Sequence, residues 1–314
     1  MSTKHPRVIF MGSPAFAVPS LEALASLPKA EVVGVVTQPD RRAGRGSKLH
    51  EPEVKTAARS LGIPVVQPES LKEPASVEQL RSFEANVFVV AAYGKILSAE
   101  VLSIPHRGSI NVHSSLLPRW RGASPVSAAI LAGDQETGIS VMEMVRRMDA
   151  GPVVSTAVEP IRPVDTTGTL ERRLAKVGAS LLSETLDPWF KGSLQAEPQD
   201  EDEATYCRIL KKGDGQLNAE MDAEAAARAV RAHDPWPGAF VEFGGKRLSI
   251  WRAHAVEGQA AVGTLTVQEG LPLIALKGGM LVLDEVQLPD RRRILGSAFV
   301  NGLQGQSGGE VSLA

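Results

Sequence analysis

The chain has 314 residues, which suggests about two domains at roughly 150 residues per domain. Lys and Arg number 34 against 36 Asp and Glu, and the net charge of -2 excludes a protein that is basic over its whole surface, such as an architectural nucleic-acid binder. A hydrophobic content of 43% and a charged content of 22% are ordinary for globular proteins and exclude wholesale disorder. The single cysteine, Cys207, excludes an internal disulfide and favours a reducing compartment.

The beginning of the chain does not have the pattern of a targeting signal. Residues Met1–Arg7 are polar, and the apolar run Val8–Met11 is too short for the core of a signal peptide. No stretch approaches the roughly 20 apolar residues of a membrane span. We therefore expect a soluble, cytoplasmic protein without a membrane partner. We also expect a monomer, because no long apolar stripe is left unassigned.

The N-terminal part alternates short apolar runs with amphipathic segments. The predicted strands lie at 8–11, 32–36, 64–66, 87–92, 109–113, 137–144 and 153–158, and the predicted helices at 16–27, 51–61, 76–83 and 124–131. Strands that alternate with helices predict an α/β domain with a Rossmann-like, mostly parallel sheet, which we place at 1–190. The turn Gly12-Ser13-Pro14 lacks the Gly-x-Gly-x-x-Gly pattern, so a dinucleotide cofactor is not expected.

The C-terminal part has a different pattern. The acidic run 199–203 is interpreted as part of a solvated linker at 191–207. Asp222 is predicted to cap an alanine-rich helix at 222–231. Short alternating runs separated by glycine follow at 240–243, 247–251, 263–267, 272–276 and 280–286. Their even spacing predicts a smaller C-terminal β-barrel domain, OB-like, at 208–314.

The segment with the most chemical information begins on the strand at 109–113. Asn111 and His113 are two residues apart, so both side chains point to the same face of that strand. Parallel sheets of this kind bind ligands beyond the carboxyl ends of their strands. An amide and an imidazole side by side can both donate hydrogen bonds to one oxygen, as a tetrahedral oxyanion in acyl transfer requires. The alternative interpretation is a structural histidine and a turn-forming asparagine.

A carboxylate and a turn complete the candidate site. Asp149 stands beside a glycine turn, and it would orient and charge His113 if it folds back onto the imidazole. Residues 115–118 form a predicted turn whose backbone groups could grip a flat heterocycle.

These residues amount to a signature. Asn-x-His at 111–113, Ser-Leu-Leu-Pro-x-x-Arg-Gly at 115–122 and Asp-x-Gly at 149–151 resemble the pattern of the 10-formyltetrahydrofolate-dependent formyltransferases. Thr37–Gly46, Ala91–Leu97 and Asp234–Ala239 resemble segments of the members of that family that act on methionyl-tRNA. The similarity runs in order from Val8 to about Gly302, with His233-Asp234 in place of a more usual Phe-Asn.

The resemblance implies that the protein transfers the formyl group of 10-formyltetrahydrofolate to the α-amine of methionine on initiator tRNA. Asn111 and His113 would donate to the oxyanion, His113 would also be a candidate proton shuttle, and Asp149 would hold His113 and help to accept the amine proton. The folate-binding residues that it implies are Tyr93, Gly94, Ile96, Leu97, Ser115, Leu116, Leu117 and Pro118. No metal is expected, since the remaining histidines lack the spacing of metal ligands.

A basic loop follows the second strand. It holds Arg41, Arg42, Arg45 and Lys48 against a single acid, Asp40. The resemblance implies that this loop contacts the tRNA acceptor stem, whereas a solvated surface loop is the alternative. Lys212 is assigned to tRNA binding as well. For the patches Lys211-Lys212 and Arg291-Arg292-Arg293 a solvated face fits equally well.

Other functions are less well supported by the sequence. A formyltransferase that acts on a UDP-amino sugar is the second candidate, because it shares the catalytic core and a similar second domain. A glycinamide-ribonucleotide formyltransferase would need only the first domain, and a formyl-folate hydrolase would have no use for the basic loop. The complete set Asn111, His113 and Asp149 argues against a catalytically inactive tRNA-binding module.

Overall fold

The structure is a computed structural model that describes residues 5–43, 48–302 and 311–312. Two compact units divide the chain, the first within 1–125, 136–160 and 171–207 and the second within 126–135, 161–170 and 208–314. Two segments of the predicted N-terminal domain therefore pack with the C-terminal unit. Within that unit Arg228 Nε donates to the Leu131 carbonyl at 3.2 Å, and Thr167 Oγ1 donates to the Ala232 carbonyl at 2.7 Å.

The elements up to Phe190 alternate between strands and helices, as predicted. In chain order they are β1 (Arg7–Gly12), a 3-10 turn (Ala15–Ala17), α1 (Val18–Ser26), β2 (Glu31–Val36), β3 (Arg41–Ala43), β4 (Lys48–His50), α2 (Glu53–Ser60), β5 (Val65–Val66), α3 (Pro74–Ser82), β6 (Val87–Ala91), α4 (Ala99–Leu102), β7 (Ser109–His113), β8 (Arg121–Gly122), α5 (Pro125–Ala132), β9 (Glu136–Glu143), β10 (Val153–Pro160) and α6 (Thr167–Phe190).

A seven-stranded sheet in the order β10-β9-β7-β6-β1-β2-β5 forms the centre of the first unit. The five strands from β5 to β7 are parallel, and β9 and β10 add antiparallel neighbours. This order confirms the Rossmann-like, mostly parallel sheet. All five residues of β6 are buried, as expected for a strand covered on both faces. Strands β2 and β6 lie on opposite sides of β1, so the strand order changes direction at β1. Sheets of this kind bind ligands at such a switch point.

The second unit is dominated by antiparallel strands. Its elements and those leading to it are β11 (Tyr206–Cys207), a 3-10 turn (Lys212–Gly215), α7 (Ala223–Ala232), β12 (Ala239–Phe243), β13 (Lys246–Val256), β14 (Leu265–Gln268), β15 (Leu271–Leu276), β16 (Gly279–Gln287), β17 (Ile294–Leu295), α8 (Gly296–Gly302) and β18 (Val311–Ser312).

The strand order in the second unit is β14-β15-β16-β13-β12-β18, with β17 beside β16, and the pairings are antiparallel as predicted. Pairings among the described residues do not join β14 to β18, so closure into a barrel stays a prediction. The predicted cap of α7 is confirmed, because Asp222 Oδ1 accepts a hydrogen bond from the Ala225 amide at 2.6 Å.

Candidate active site

His113 ends β7 and lies against the chain that follows it. Its side chain is 7% exposed, and its Nε2 lies 3.0 Å from the carbonyl oxygen of Trp120. A carbonyl oxygen can only accept, so Nε2 must carry the proton of this hydrogen bond. Trp120 has a φ of +62°, an uncommon conformation for a residue other than glycine, and this conformation helps to aim its carbonyl at the imidazole.

Asp149 lies on the other side of the imidazole ring. Its Oδ2 lies 3.8 Å from His113 Nδ1 and accepts a hydrogen bond from the Gly122 amide at 2.8 Å. Asp149 itself has a φ of +48° and belongs to the connection between β9 and β10. The expected approach of Asp149 to His113 is therefore confirmed, while its part in catalysis stays a prediction.

The two contacts of His113 restrict what its nitrogens can do. With a proton already on Nε2, a neutral imidazole presents a lone pair at Nδ1, and only the imidazolium can donate from both nitrogens. The sequence left the choice of nitrogen open. In this structure a ligand can receive a hydrogen bond from His113 only at Nδ1, and only when the imidazole is charged beside Asp149.

Asn111 supplies the free donor of the site. Its side chain is half-buried and makes no hydrogen bond within the described part of the chain. Because Asn111 and His113 alternate with Val112 along β7, both lie on the same face of the sheet. A half-buried amide without a partner is suited to a ligand that brings its own acceptor.

The turn after His113 is held by a residue that sequence reasoning missed. Ser140 on β9 donates its hydroxyl to the Ser115 carbonyl at 2.8 Å and accepts from the Leu117 amide at 3.0 Å. Ser140 pairs opposite His113 in the sheet and is fully buried. A serine inside the apolar run 137–144 was the available signal. Leu116, Leu117 and Pro118 remain partly accessible beside this anchor.

The four predicted folate-binding residues in the loop after β6 differ in their exposure to solvent. Tyr93 and Leu97 are buried in the hydrophobic core, and burial raises the pKa of the Tyr93 phenol to about 12. Gly94, with a φ of +77°, and Ile96, which is 81% exposed, face solvent instead. The Tyr93 carbonyl accepts from the Gln38 side chain at 3.0 Å, so this loop is tied to the end of β2.

The acidic run at 199–203 is exposed at 200–203, as a solvated linker would be, but two of its side chains contact residues at the candidate site. Glu201 receives hydrogen bonds from the buried Arg121 and from Arg147, and these hold the pKa of its carboxyl at about 2. Gln199 donates to the backbone carbonyls of Asp149 and Gly151. Gln199 and Glu201 therefore bond the buried Arg121 and the backbone beside Asp149, while the rest of the run is exposed.

The predicted basic loop contains an antiparallel hairpin of β3 and β4. Arg41 and Arg42 on β3 are exposed, whereas Arg45 and the side chain of Lys48 lie outside the described residues. The single acid of this loop is engaged elsewhere: Asp40 accepts from Gln67 at 2.7 Å and from the buried Lys55 at 2.6 Å. These hydrogen bonds lower the pKa of Asp40, with the Gln67 contribution the largest.

The last predicted tRNA-binding residue, Lys212, lies in the second unit. Lys211 and Lys212 are exposed at the start of a 3-10 turn.

Within the described residues no three His, Cys, Asp or Glu side chains come close enough together to hold a metal ion. The described helices include none that is long and apolar enough to cross a membrane.

Comparison with protein families gives two matches that together span most of the chain. The profile described as "Formyl transferase" matches residues 6–186, and that described as "Formyl transferase, C-terminal domain" matches residues 209–304. Among solved structures, HypX from Aquifex aeolicus with tetrahydrofolic acid has a TM-score of 0.61 at 18% identity and covers 96% of this chain and 48% of that one. The sugar 3N-formyl transferase WlaRD has a TM-score of 0.65 at 16% identity over 92% of this chain and 99% of its own. These two structures share the fold.

Curated relatives are similar at much higher identity. The methionyl-tRNA formyltransferase of Roseiflexus sp. (strain RS-1) is 43% identical over 97% of this chain and 94% of its own. Those of Chloroflexus aurantiacus and Thiobacillus denitrificans are 44% and 45% identical over 95% and 94% of this chain and over 97% and 96% of their own. The chain therefore belongs to the formyl transferase family, among the methionyl-tRNA formyltransferases.

Proposed function

We propose that this protein transfers the formyl group of 10-formyltetrahydrofolate to the α-amine of methionine on initiator tRNA. The observation that carries the proposal is the approach of His113 Nδ1 to Asp149 Oδ2, at 3.8 Å. The same face of β7 presents the amide of Asn111, which has no partner among the described residues. The names of the full-length relatives support both the reaction and the acceptor.

The residues of the site match the charges that such a reaction develops. A C–N bond to the amine forms, the C–N bond to the donor breaks, and the proton released from the amine ends on the donor nitrogen. Asn111 donates to the formyl oxygen as negative charge develops there. His113, as imidazolium, donates to it from Nδ1. Asp149 balances the imidazolium, and its Oδ1, which has no partner within the described residues, takes the amine proton and passes it on to the donor nitrogen as the C–N bond to the donor breaks.

The formyl donor is proposed to lie between two loops at the carboxyl edge of the sheet. Exposed Ile96 and Gly94 would contact it directly, while Tyr93 and Leu97 would shape their loop from the core. The backbone of Ser115, Leu116, Leu117 and Pro118 would contact its ring from the other side. The free backbone groups that the sequence suggested for this turn are mostly engaged, because the Ser115, Leu116 and Pro118 carbonyls and the Leu117 amide are hydrogen-bonded within the chain. An exposed aliphatic side chain beside an ordered turn still suits a flat ligand that has apolar faces.

The tRNA is proposed to be held by scattered basic groups and not by the whole surface. Arg41, Arg42, Arg45 and Lys48 would contact phosphates of the acceptor stem, and Lys212 would add a contact from the second unit. The net charge of -2 is compatible with this, because phosphate binding depends on local charge.

A single assay with three arms tests the proposal. The purified protein is incubated with 10-formyltetrahydrofolate and either methionyl-initiator tRNA, a UDP-amino sugar or no acceptor. We expect formylmethionyl-tRNA in the first arm and no product in the others. Formylation of the sugar would favour the second candidate function, and release of formate without an acceptor would favour a hydrolase.

The protein is further proposed to act in the cytoplasm as a monomer. Light scattering during size-exclusion chromatography should then give a mass near 33.4 kDa. A mass of twice that value would refute the monomer.

A further inference from the structure

The turn that carries Asp149 is held by a side chain 50 positions away in the sequence. Gln199 Nε2 donates to the Asp149 carbonyl at 2.8 Å and to the Gly151 carbonyl at 2.7 Å. The turn also packs closely on the end of β9, because a Cβ at Gly151 would lie 1.7 Å from the Glu143 carbonyl oxygen. The single side-chain amide of Gln199 thus bonds the residues on both sides of Ala150.

The orientation of this amide is fixed by a buried arginine. Arg121 is fully buried, and its Nε donates to Gln199 Oε1 at 2.9 Å. A guanidinium has no acceptor, so the amide oxygen must face it and the amide NH₂ must face the two carbonyls. Glu201 and Tyr206 accept from the remaining guanidinium nitrogens at 3.1–3.2 Å, which keeps the charge of Arg121 compensated.

The same short segment also binds the carboxylate. Gly122, which follows Arg121, donates its amide to Asp149 Oδ2 at 2.8 Å. Strand β8, which holds both residues, is paired with β11, and a Cβ at Gly122 would lie 2.0 Å from the Cys207 carbonyl oxygen. The backbone of Asp149 and its carboxylate are therefore both fixed by contacts with 121–122 and 199.

We propose that Gln199 is a positioning residue for formyl transfer, which holds the Asp149 turn so that the carboxylate faces His113, and that Arg121 fixes the amide of Gln199. This inference rests on the proposed role of Asp149. Without the Gln199 amide two backbone carbonyls lose their donor and the turn can relax. A misplacement of about 1 Å at a reacting group can cost about 100-fold in rate.

Two substitutions separate positioning of Asp149 from support of Arg121. Gln199→Met removes both functions, whereas Gln199→Glu keeps an acceptor for Arg121 and loses the donors to the carbonyls. We expect both variants to lower kcat by about 10- to 100-fold, with KM for the formyl donor and for tRNA changed by less than about twofold. A wild-type kcat in Gln199→Glu would overturn the inference, because support of Arg121 would then be sufficient.

A matched control lies elsewhere in the same unit. Thr185→Val removes a buried hydroxyl that bonds Ser155 and the Leu181 carbonyl, each at 2.6 Å, without contact to the candidate site. Its loss of thermal stability should be similar to that of Gln199→Met, but its kcat should stay at the wild-type value. An equal fall in kcat for both variants would assign the effect of Gln199→Met to general destabilisation.

Coupling to Asp149 gives the most direct test. If Gln199 acts through the carboxylate, Gln199→Met should change the residual kcat of an Asp149→Asn variant by less than about threefold. A 10- to 100-fold decrease in kcat when Gln199→Met is added to Asp149→Asn would overturn the inference.

A structural measurement separates this inference from the proposed function. In a crystal structure of Gln199→Met we expect Asp149 Oδ2 to lie outside hydrogen-bond distance of the Gly122 amide. An unchanged distance of 2.8 Å would refute positioning whatever the activity. Absence of formyl transfer by the unmodified protein would refute the proposed function instead.

Discussion

The carbonyl of Trp120 decides which nitrogen of His113 is available. Trp120 and Asp149, on opposite sides of the imidazole, both adopt positive φ values, +62° and +48°. Each such conformation costs on the order of 1–3 kcal/mol and persists only where the surroundings fix it. Here Trp120 is fixed by the hydrogen bond that its carbonyl accepts from His113 Nε2. Asp149 is fixed by the hydrogen bond that its carboxylate accepts from the Gly122 amide. Two strained backbone positions at one imidazole indicate that the site maintains this geometry at a cost in stability.

The role of Asn111 is tested by Asn111→Ala. Removing one preorganised oxyanion donor costs about 10²- to 10³-fold in rate, so we expect at least that loss in kcat. The amide has no partner among the described residues, so folding should be unaffected, which circular dichroism and thermal melting would check. A kcat near the wild-type value would remove Asn111 from the mechanism.

His233 makes a prediction about stability and pH. It is 3% exposed, and its Nδ1 has no partner among the described residues. Burial lowers the pKa of His233 below its ordinary 6.5, although the Asp214 carboxylate partly offsets this. Below pH 6.5 the unfolded chain therefore binds a proton that the folded chain does not, and stability falls as the pH decreases.

Replacement of His233 by phenylalanine, which cannot bind a proton, should remove that dependence. We expect His233→Phe to raise the melting temperature relative to the unmodified protein by on the order of a few degrees more at about pH 5.5 than at about pH 8. An identical difference at both pH values would show that protonation of His233 does not contribute.

At the level of elements, local patterns predicted most of the strands but not all of the helices. Helix α6, 24 residues long, was not predicted, although its leucines repeat at helical spacing. Those that the structure buries are Leu170, Leu174, Leu181, Leu182 and Leu186. A Cβ at Gly178 would lie 3.0 Å from Val112, so this glycine lets the helix approach β7. The helix thus covers the strand that carries the candidate site.

Ion pairs with Lys55 anchor the base of the β3–β4 hairpin. Lys55 is 5% exposed and bonds Asp40 at the entry to the hairpin, and Glu51 on the exit side lies 2.9 Å from the same ammonium. The hydrogen bond that Lys55 donates to Asp40 is the largest contribution that raises the pKa of Lys55, so this cation stays charged over the whole physiological range. The base of the hairpin is therefore fixed while its arginines face outward.

Arg42→Leu tests the proposed tRNA contact of this hairpin. We expect a large increase in KM for tRNA, with KM for the formyl donor changed by less than about twofold. The slope of log(kcat/KM) for tRNA against log[salt] should become shallower by about one, the change expected for one lost phosphate contact.

Arg172→Leu is the matched control, because Arg172 is an exposed arginine on α6 of the same unit. It should leave both KM values and the salt slope unchanged. Equal losses toward tRNA and toward the formyl donor in Arg42→Leu would contradict the proposed contact.

For the whole molecule, the main feature is that each unit has its own hydrophobic core. Leu80 belongs to a core cluster around β1 and β6, and Leu281 to a separate cluster around β13, β16 and α7. Both side chains are almost fully buried. Since these two clusters of described residues have no residue in common, we predict that the two units lose stability independently.

Two matched substitutions test that independence. Leu80→Ala and Leu281→Ala should each cost about 2–5 kcal/mol and lower one calorimetric transition by on the order of 10 °C. Leu80→Ala should act on the transition of the first unit and Leu281→Ala on that of the second. If either variant lowered one common transition, the two units would unfold as a single cooperative body.

Much of the molecule follows from its amino-acid sequence alone. The alternation of strands and helices, the antiparallel C-terminal pattern and the resemblance that identified Asn111, His113 and Asp149 can all be derived from it. These features depend on neighbouring residues, because strand and helix periodicity and short motifs are local properties of the chain. The residue types of the site are therefore legible in the sequence.

How those residues act depends instead on the tertiary structure. The fold places the Nε2 proton of His113 through Trp120, brings Gly122 to a carboxylate 27 positions later, and joins Arg121 to Gln199 across 78 positions. It also brings 126–135 and 161–170 into the second unit. Contacts between distant residues leave no periodic signal in the sequence, because they depend on the folded path of the backbone and on which buried polar groups must be satisfied.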